Sequence, residues 1–121
     1  MAKLVNTDKI FDLPVGATLR VGNNRTVSRI DGATFAGQLH GHAVFRVTVD
    51  MTGGPGATIT LDTCGYLTPT TRGAMIDFAR AFGVRLSLSI ASGVLSGRCG
   101  TNELAWNADG DASVYAERYT A

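Results

Sequence analysis

Thr68-Pro69-Thr70-Thr71-Arg72-Gly73-Ala74-Met75-Ile76-Asp77-Phe78-Ala79-Arg80-Ala81-Phe82-Gly83 decides how the rest of the chain is read. Thr68 is a good N-cap, because its hydroxyl can accept from an otherwise orphaned amide of the first turn. Pro69 suits the first helical position, where its missing N–H would be unpaired anyway, and Gly83 suits the left-handed stop. Met75, Phe78, Ala79 and Phe82 recur at helical spacing and make one apolar stripe, with Arg72, Asp77 and Arg80 off it. The pattern predicts one helix from about Pro69 to Phe82. Gly73 loosens its first turn, at a cost of up to ~1 kcal/mol.

On either side of this segment the apolar period drops to two, the period of a half-buried strand. Downstream, Val84, Leu86, Leu88 and Ile90 alternate with Arg85, Ser87 and Ser89, and a turn at Ser92-Gly93 leads to a short strand at Val94-Leu95. Upstream, Ala17, Leu19 and Val21 alternate with Thr18 and Arg20. Gly22-Asn23-Asn24 tolerates positive φ, so Arg25 to Ile30 returns as the second arm of a hairpin. The strongest strand signal is Ala43 to Asp50, with Phe45, Val47 and Val49 on one face and Val44, Arg46 and Thr48 on the other. Through Thr52-Gly53-Gly54-Pro55-Gly56 it pairs with Thr58 to Leu61. In the tail, Leu104 and Trp106 read as one strand, Asp109-Gly110 as a turn, and Val114 to Tyr119 as another strand. The sum is an α+β fold: one domain over residues 1–121, with an antiparallel sheet of about five to seven short strands and the single helix packed on one face.

The composition sets the class of partner. The apolar share is 45% and the charged share 17%, which is that of a globular chain with a core of its own. Lys plus Arg number 11 against 10 Asp plus Glu, so no overall field draws in nucleic acid or anionic lipid. No apolar run reaches the roughly 18–20 residues that span a bilayer. Asn6, Asp8, Lys9 and Asp12 interrupt the uninterrupted apolar stretch that a signal peptide needs. These features lead to the expectation of a chain that stays where it is made, in contact with no membrane. Cys64 and Cys99 stand in no metal-ligand spacing and read as two reduced, partly buried thiols.

Several constellations carry potential chemistry. His40-Gly41-His42 would put both imidazoles on one face of a strand, but no third ligand has convincing spacing, so no metal or other cofactor is expected. Gly53-Gly54-Pro55-Gly56 lacks the lysine and the following helix of a phosphate loop, and reads as a hairpin connection. Thr70, Thr71 and Arg72 at the helix start could hold an anion through free N–H groups, hydroxyls and the guanidinium. A well-capped helix with a solvated arginine accounts for the same residues. Arg20, Arg25, Arg29 and Arg46 fall on the first strands, and a basic strip crosses the sheet if Arg20 and Arg46 share an exposed face with Arg29. Trp106, Tyr115 and Tyr119 are candidate anchors for a partner, or equally sheet packing. There is no Ser-His-Asp spacing, paired-carboxylate signature or dinucleotide fingerprint, so the expectation is binding and not catalysis.

One segment carries a resemblance. Ile59-Thr60-Leu61-Asp62-Thr63-Cys64-Gly65-Tyr66-Leu67-Thr68-Pro69-Thr70-Thr71-Arg72 resembles a pattern found in many small proteins of tailed bacteriophages. In these, a strand I-T-L-x-[ST]-x-G-[WY]-x-T runs into x-T-T-[KR] at a helix start, and a short strand pair follows, which Val84 to Ser96 matches. The resemblance covers the central third of the chain. Cys64 departs from it, standing where a second small residue is common, as does the long C-terminal extension. It implies a phage-encoded accessory protein acting in the cytoplasm of the bacterial host. The leading expectation is a non-catalytic counter-defence or host-takeover binder, such as an anti-CRISPR type inhibitor, with a host protein or ribonucleoprotein complex as partner. The alternatives are a nucleic-acid-binding accessory factor, which requires Arg20, Arg46, Arg72 and Arg80 to converge; a nucleotide-sequestering protein with phosphate at Thr70-Thr71-Arg72; and a virion decoration protein. The last two are compatible with a homo-oligomer.

Overall fold

A computed structural model describes residues 4–50, 52, 56–64, 68–91, 94–99, 102–106 and 111–117. The turns expected at 53–55, 92–93 and 109–110, the Gly65-Tyr66-Leu67 part of the phage-like motif and Tyr119 lie outside the described residues. A short 3-10 helix, Thr7–Asp12, precedes five strands: β1 (Thr18–Gly22), β2 (Arg25–Arg29), β3 (Thr34–Leu39), β4 (His42–Val49) and β5 (Gly56–Asp62). Then come the helix α1 (Pro69–Ala81) and strands β6 (Leu86–Ala91), β7 (Val94–Cys99), β8 (Asn102–Glu103), β9 (Ala105–Trp106) and β10 (Asp111–Glu117). The main sheet has the order β1-β2-β3-β4-β5-β10-β9, and every pairing in it is antiparallel.

The fold is thus the expected α+β class, with two differences: β3 (Thr34–Leu39) joins the sheet where the sequence pattern predicts no strand, and the second lies after the helix. The strands after the helix do not all rejoin one sheet: β6, β7 and β8 form a second, three-stranded antiparallel sheet. Helix α1 lies against β3 and β4 of the large sheet and β6 of the small one. Leu86, Leu88, Leu95 and Cys99 accordingly share one buried cluster with Phe35, Val47 and Ile59. The chain returns to the large sheet with β9, at its edge, and then β10, which pairs with β5 over its whole length, Asp111 opposite Asp62 through Glu117 opposite Gly56.

The helix ends follow from local chemistry. The Thr71 amide donates to Thr68 Oγ1 at 3.2 Å, and Pro69 opens the first turn. At the other end Gly83 takes φ 74°, its amide donates to the Arg80 carbonyl, and the Val84 amide donates to that of Ala79. This pair of bonds is the Schellman closure that a left-handed glycine permits. Met75, Phe78, Ala79 and Phe82 are all fully buried, as their spacing predicts. Every phenylalanine of the chain joins this core: Phe35 packs on Phe11 and Phe82, and Phe45 on Phe78 and Phe82, with ring centroids 5.2–6.0 Å apart. The helix approaches the sheet at Gly37, where an added Cβ would sit 2.7 Å from Phe78 Cγ.

Two charged side chains, one off the helix's apolar stripe and one on β2, prove to be structural. Asp77 lies off the apolar stripe yet is buried, and accepts from Arg25 Nη1 of β2 at 2.7 Å. Arg29 sits at the core side of β2, stacked over Phe35, and its guanidinium donates to the carbonyls of Phe11, Leu13, Asp31 and Gly32. Arginine can do this because its planar fork carries five donors.

Candidate functional site

The strands β3 and β4 do not stay in simple alternation. Gly37 faces Phe45, but Gln38 faces Ala43, so Val44 is an extra residue on β4. Such a bulge shifts everything beyond it to the opposite face. Val44, expected opposite to Phe45, is therefore buried beside it. His42 comes to pair with Leu39, a residue of the core face. The two-residue loop between them places His40 at φ 52° and Gly41 at φ 81°. Both values are positive, as the mirror-image hairpin turn requires, and histidine is one of the few residues that tolerate it. The His40 amide is tied to the Asn24 carbonyl of the β1–β2 turn at 2.8 Å.

The bulge and the turn bring the histidine pair to the start of α1. A cavity of about 430 Å³ opens there, walled by Leu39, His40, His42, Val44, Thr68, Thr70 and Thr71. A second cavity of about 270 Å³ adjoins it through Leu39, His40 and Thr70 and runs under the β1–β2 turn, past Leu4, Gly22, Asn23, Asn24 and Arg25. Together they form one cleft at the end of the large sheet. Among the described residues its walls hold an arginine, two histidines, hydroxyls, amides and apolar side chains, and no carboxylate. Of the first-turn amides, that of Thr71 is used by the cap and that of Arg72 by the Thr68 carbonyl, while Pro69 has none. Among the described residues the Thr70 N–H is the donor left over.

The other sequence candidates do not gather here. Thr70 and Thr71 line the cleft, but Arg72 is in neither wall: Nη1 leans 3.5 Å from the Leu88 carbonyl of β6, and the buried Nε has no hydrogen-bond partner. Arg20 and Arg46 both stand exposed on the sheet face away from the helix, Arg46 beside Thr60 and Arg20 beside Thr26. Two strands separate them, or about 14 Å at the usual strand spacing. Arg29 faces the core side instead, so the three do not form a strip. Arg72 and Arg80 lie on the helix, across the sheet from Arg20 and Arg46. Tyr115 pairs with Thr58 and Trp106 with Ala112, at the far side of the sheet from β1.

Among the described residues no three His, Cys, Asp or Glu side chains cluster as a metal site would need, and no helix is long and apolar enough to cross a membrane. Both cysteines are free. Burial pushes the Cys99 thiol above the usual range, and burial together with the nearby Asp62 carboxylate does the same for Cys64. Neither is an activated nucleophile. Compared with known proteins, the chain matches no family model, no curated protein and no solved structure.

Proposed function

We propose that this chain is a non-catalytic, phage-encoded binding protein that inhibits or redirects a host system by holding a host protein or ribonucleoprotein complex, and that the cleft between the hairpin turns and the helix start is where it does so. The observation that carries the reading is the cleft itself. Recognition sites are concave and mostly apolar, with a few convergent polar groups, and the adjoining cavities have that make-up. The phage context and the host target rest on the strand-to-helix resemblance, whose helix-opening threonines Thr70 and Thr71 are the ones that line the cleft.

The nucleic-acid alternative requires Arg20, Arg46, Arg72 and Arg80 to share a surface, and their placement on opposite sides of the sheet weighs against it. The test is capture from bacterial lysate with the tagged chain, with and without nuclease. A specific host protein retained after nuclease, and lost with His40→Asn, supports the reading. Retention of nucleic acid alone, released by salt, overturns it.

A further inference from the structure

The smaller cavity has a guanidinium built into its wall. The Arg25 side chain is only 11% exposed and that of Asp77 only 4%. One nitrogen, Nη1, is taken by Asp77 Oδ2 at 2.7 Å. A guanidinium carries five donors, so Asp77 fixes the group without exhausting it. The remaining nitrogens are not sealed in: among the described residues the buried side-chain nitrogen lacking a partner is Nε of Arg72. Arg25 instead lines the cavity together with Asn23, Asn24, His40 and Thr70. Arg80 approaches the other oxygen of Asp77 at 3.9 Å, so two guanidinium groups share one carboxylate and this corner keeps a net positive charge.

Resting on the binding function above, we propose that the cleft recognises an oxyanion, a carboxylate or a phosphoryl group of the partner, which accepts hydrogen bonds from the free donors of Arg25 and from His40 and Thr70. Asp77 is the positioning residue, since it holds the fork in one orientation from behind. Arginine is the side chain suited to this task, because its parallel N–H groups match two oxygens of one anion. Among the described residues the wall holds no carboxylate that would repel the anion. Leu39, shared by both cavities, excludes water from one flank and strengthens the charged bonds.

The test is a titration of the full chain with inorganic phosphate and, separately, with acetate, at constant ionic strength, followed by amide proton–nitrogen NMR correlation spectra. Saturable shifts at Asn23, Asn24, His40 and Thr70 are expected for at least one of the two anions, and the one that binds tighter identifies the source. His40→Asn preserves a residue that tolerates the left-handed turn. It is expected to weaken binding about tenfold, as loss of one charge-assisted bond does. Arg25→Lys keeps a cation beside Asp77 but loses the fork, and should weaken it at least as much. Because Arg25 also supports the fold, the His40 variant is the decisive one. No saturable shift at these four amides, or the same affinity in His40→Asn, overturns the inference. If lysate capture still retains a host protein while both anions leave the cleft unmoved, the binding function stands and the oxyanion inference alone falls.

Discussion

Removing the Asp77 carboxylate should be among the most damaging single changes in this chain. Asp77→Ala deletes the acceptor 2.7 Å from Arg25 Nη1 and leaves the guanidinium, 11% exposed, in place. Breaking a buried ion pair by deleting one partner costs about 3–5 kcal/mol, because the survivor is an uncompensated charge. Two features lower that figure. Arg25 borders a cavity that water can enter, and alanine is a better helix former than aspartate by several tenths of a kcal/mol. The expected net loss is therefore about 2–3 kcal/mol, or roughly 8–12 °C in Tm for a domain of this size. Arg80→Ala, which removes a 3.9 Å contact from a side chain 61% exposed, should cost under ~0.5 kcal/mol.

Urea unfolding followed by circular dichroism measures both, with the slope m checking that the unfolded state is unchanged. The pair is best judged against a double variant, Arg25→Met with Asp77→Leu, which replaces both charges by apolar groups of similar bulk. That protein should be more stable than Asp77→Ala alone and within ~1 kcal/mol of the parent. A loss below ~1 kcal/mol for Asp77→Ala would refute the picture of a buried, mutually dependent pair. So would a double variant as unstable as the single one.

Three further outcomes follow from other parts of the molecule. Gly37→Ala places a methyl 2.7 Å from the Phe78 ring and should cost about 1–3 kcal/mol in the same urea assay; Phe78→Leu, added to it, should be less harmful than Phe78→Leu alone. The two ends of the first helical turn should move in opposite directions. Thr68→Ala loses the cap to the Thr71 amide and about 1 kcal/mol, whereas Gly73→Ala meets open space and gains up to ~1 kcal/mol. Because burial raises the Cys99 thiol in the folded state, its contribution to stability is present below the usual thiol range and is lost as the pH rises through and above it. Urea midpoints measured from neutral pH to pH ~10 should therefore fall more steeply for the parent than for Cys99→Ala, and equal slopes would contradict the assignment.

What could be read from the residues alone divides along a physical line. The helix was legible because its signals are local: Thr68, Pro69 and Gly83 act within a turn of themselves, and the Met75–Phe82 stripe is set by one helix's own period. The β1–β2 pair and the strand β4 were legible for the same reason, through Gly22-Asn23-Asn24 and the alternation in β4, whereas β3 (Thr34–Leu39), with Ala36, Gly37 and Gln38 breaking its pattern, was not. The burial of Val44 and the placing of His42 were not, because a bulge exists only in the register between two strands. Nothing in His42-Ala43-Val44-Phe45 by itself tells which residue is the extra one. The structural roles of Asp77 and Arg29 were not legible for a related reason. Their partners, Arg25 and the Phe11, Leu13, Asp31 and Gly32 carbonyls, are distant or backbone groups that no side-chain pattern announces. The second sheet was missed because period-two alternation in β6 predicts a strand but carries no information on which neighbour it pairs with.

The same limits account for how the cleft is built. The histidine pair and the helix-opening threonines, separate candidates when read as sequence, meet because a bulge re-aims one strand end and a left-handed turn ties it to the next hairpin. The helix serves both regions with different halves: Phe78 and Phe82 fill the core, while Thr68, Thr70 and Thr71 face the cleft. Changes at Phe78 or Gly37 should then alter stability without altering what is bound, and changes at His40 or Thr70 should do the reverse. Arg25 is where the two regions join, since its carboxylate partner lies in the core and its remaining donors border the cleft. Under the proposed function, a guanidinium held in this way ties recognition to the integrity of the fold. Loosening Asp77 should blur the binding site before the protein unfolds.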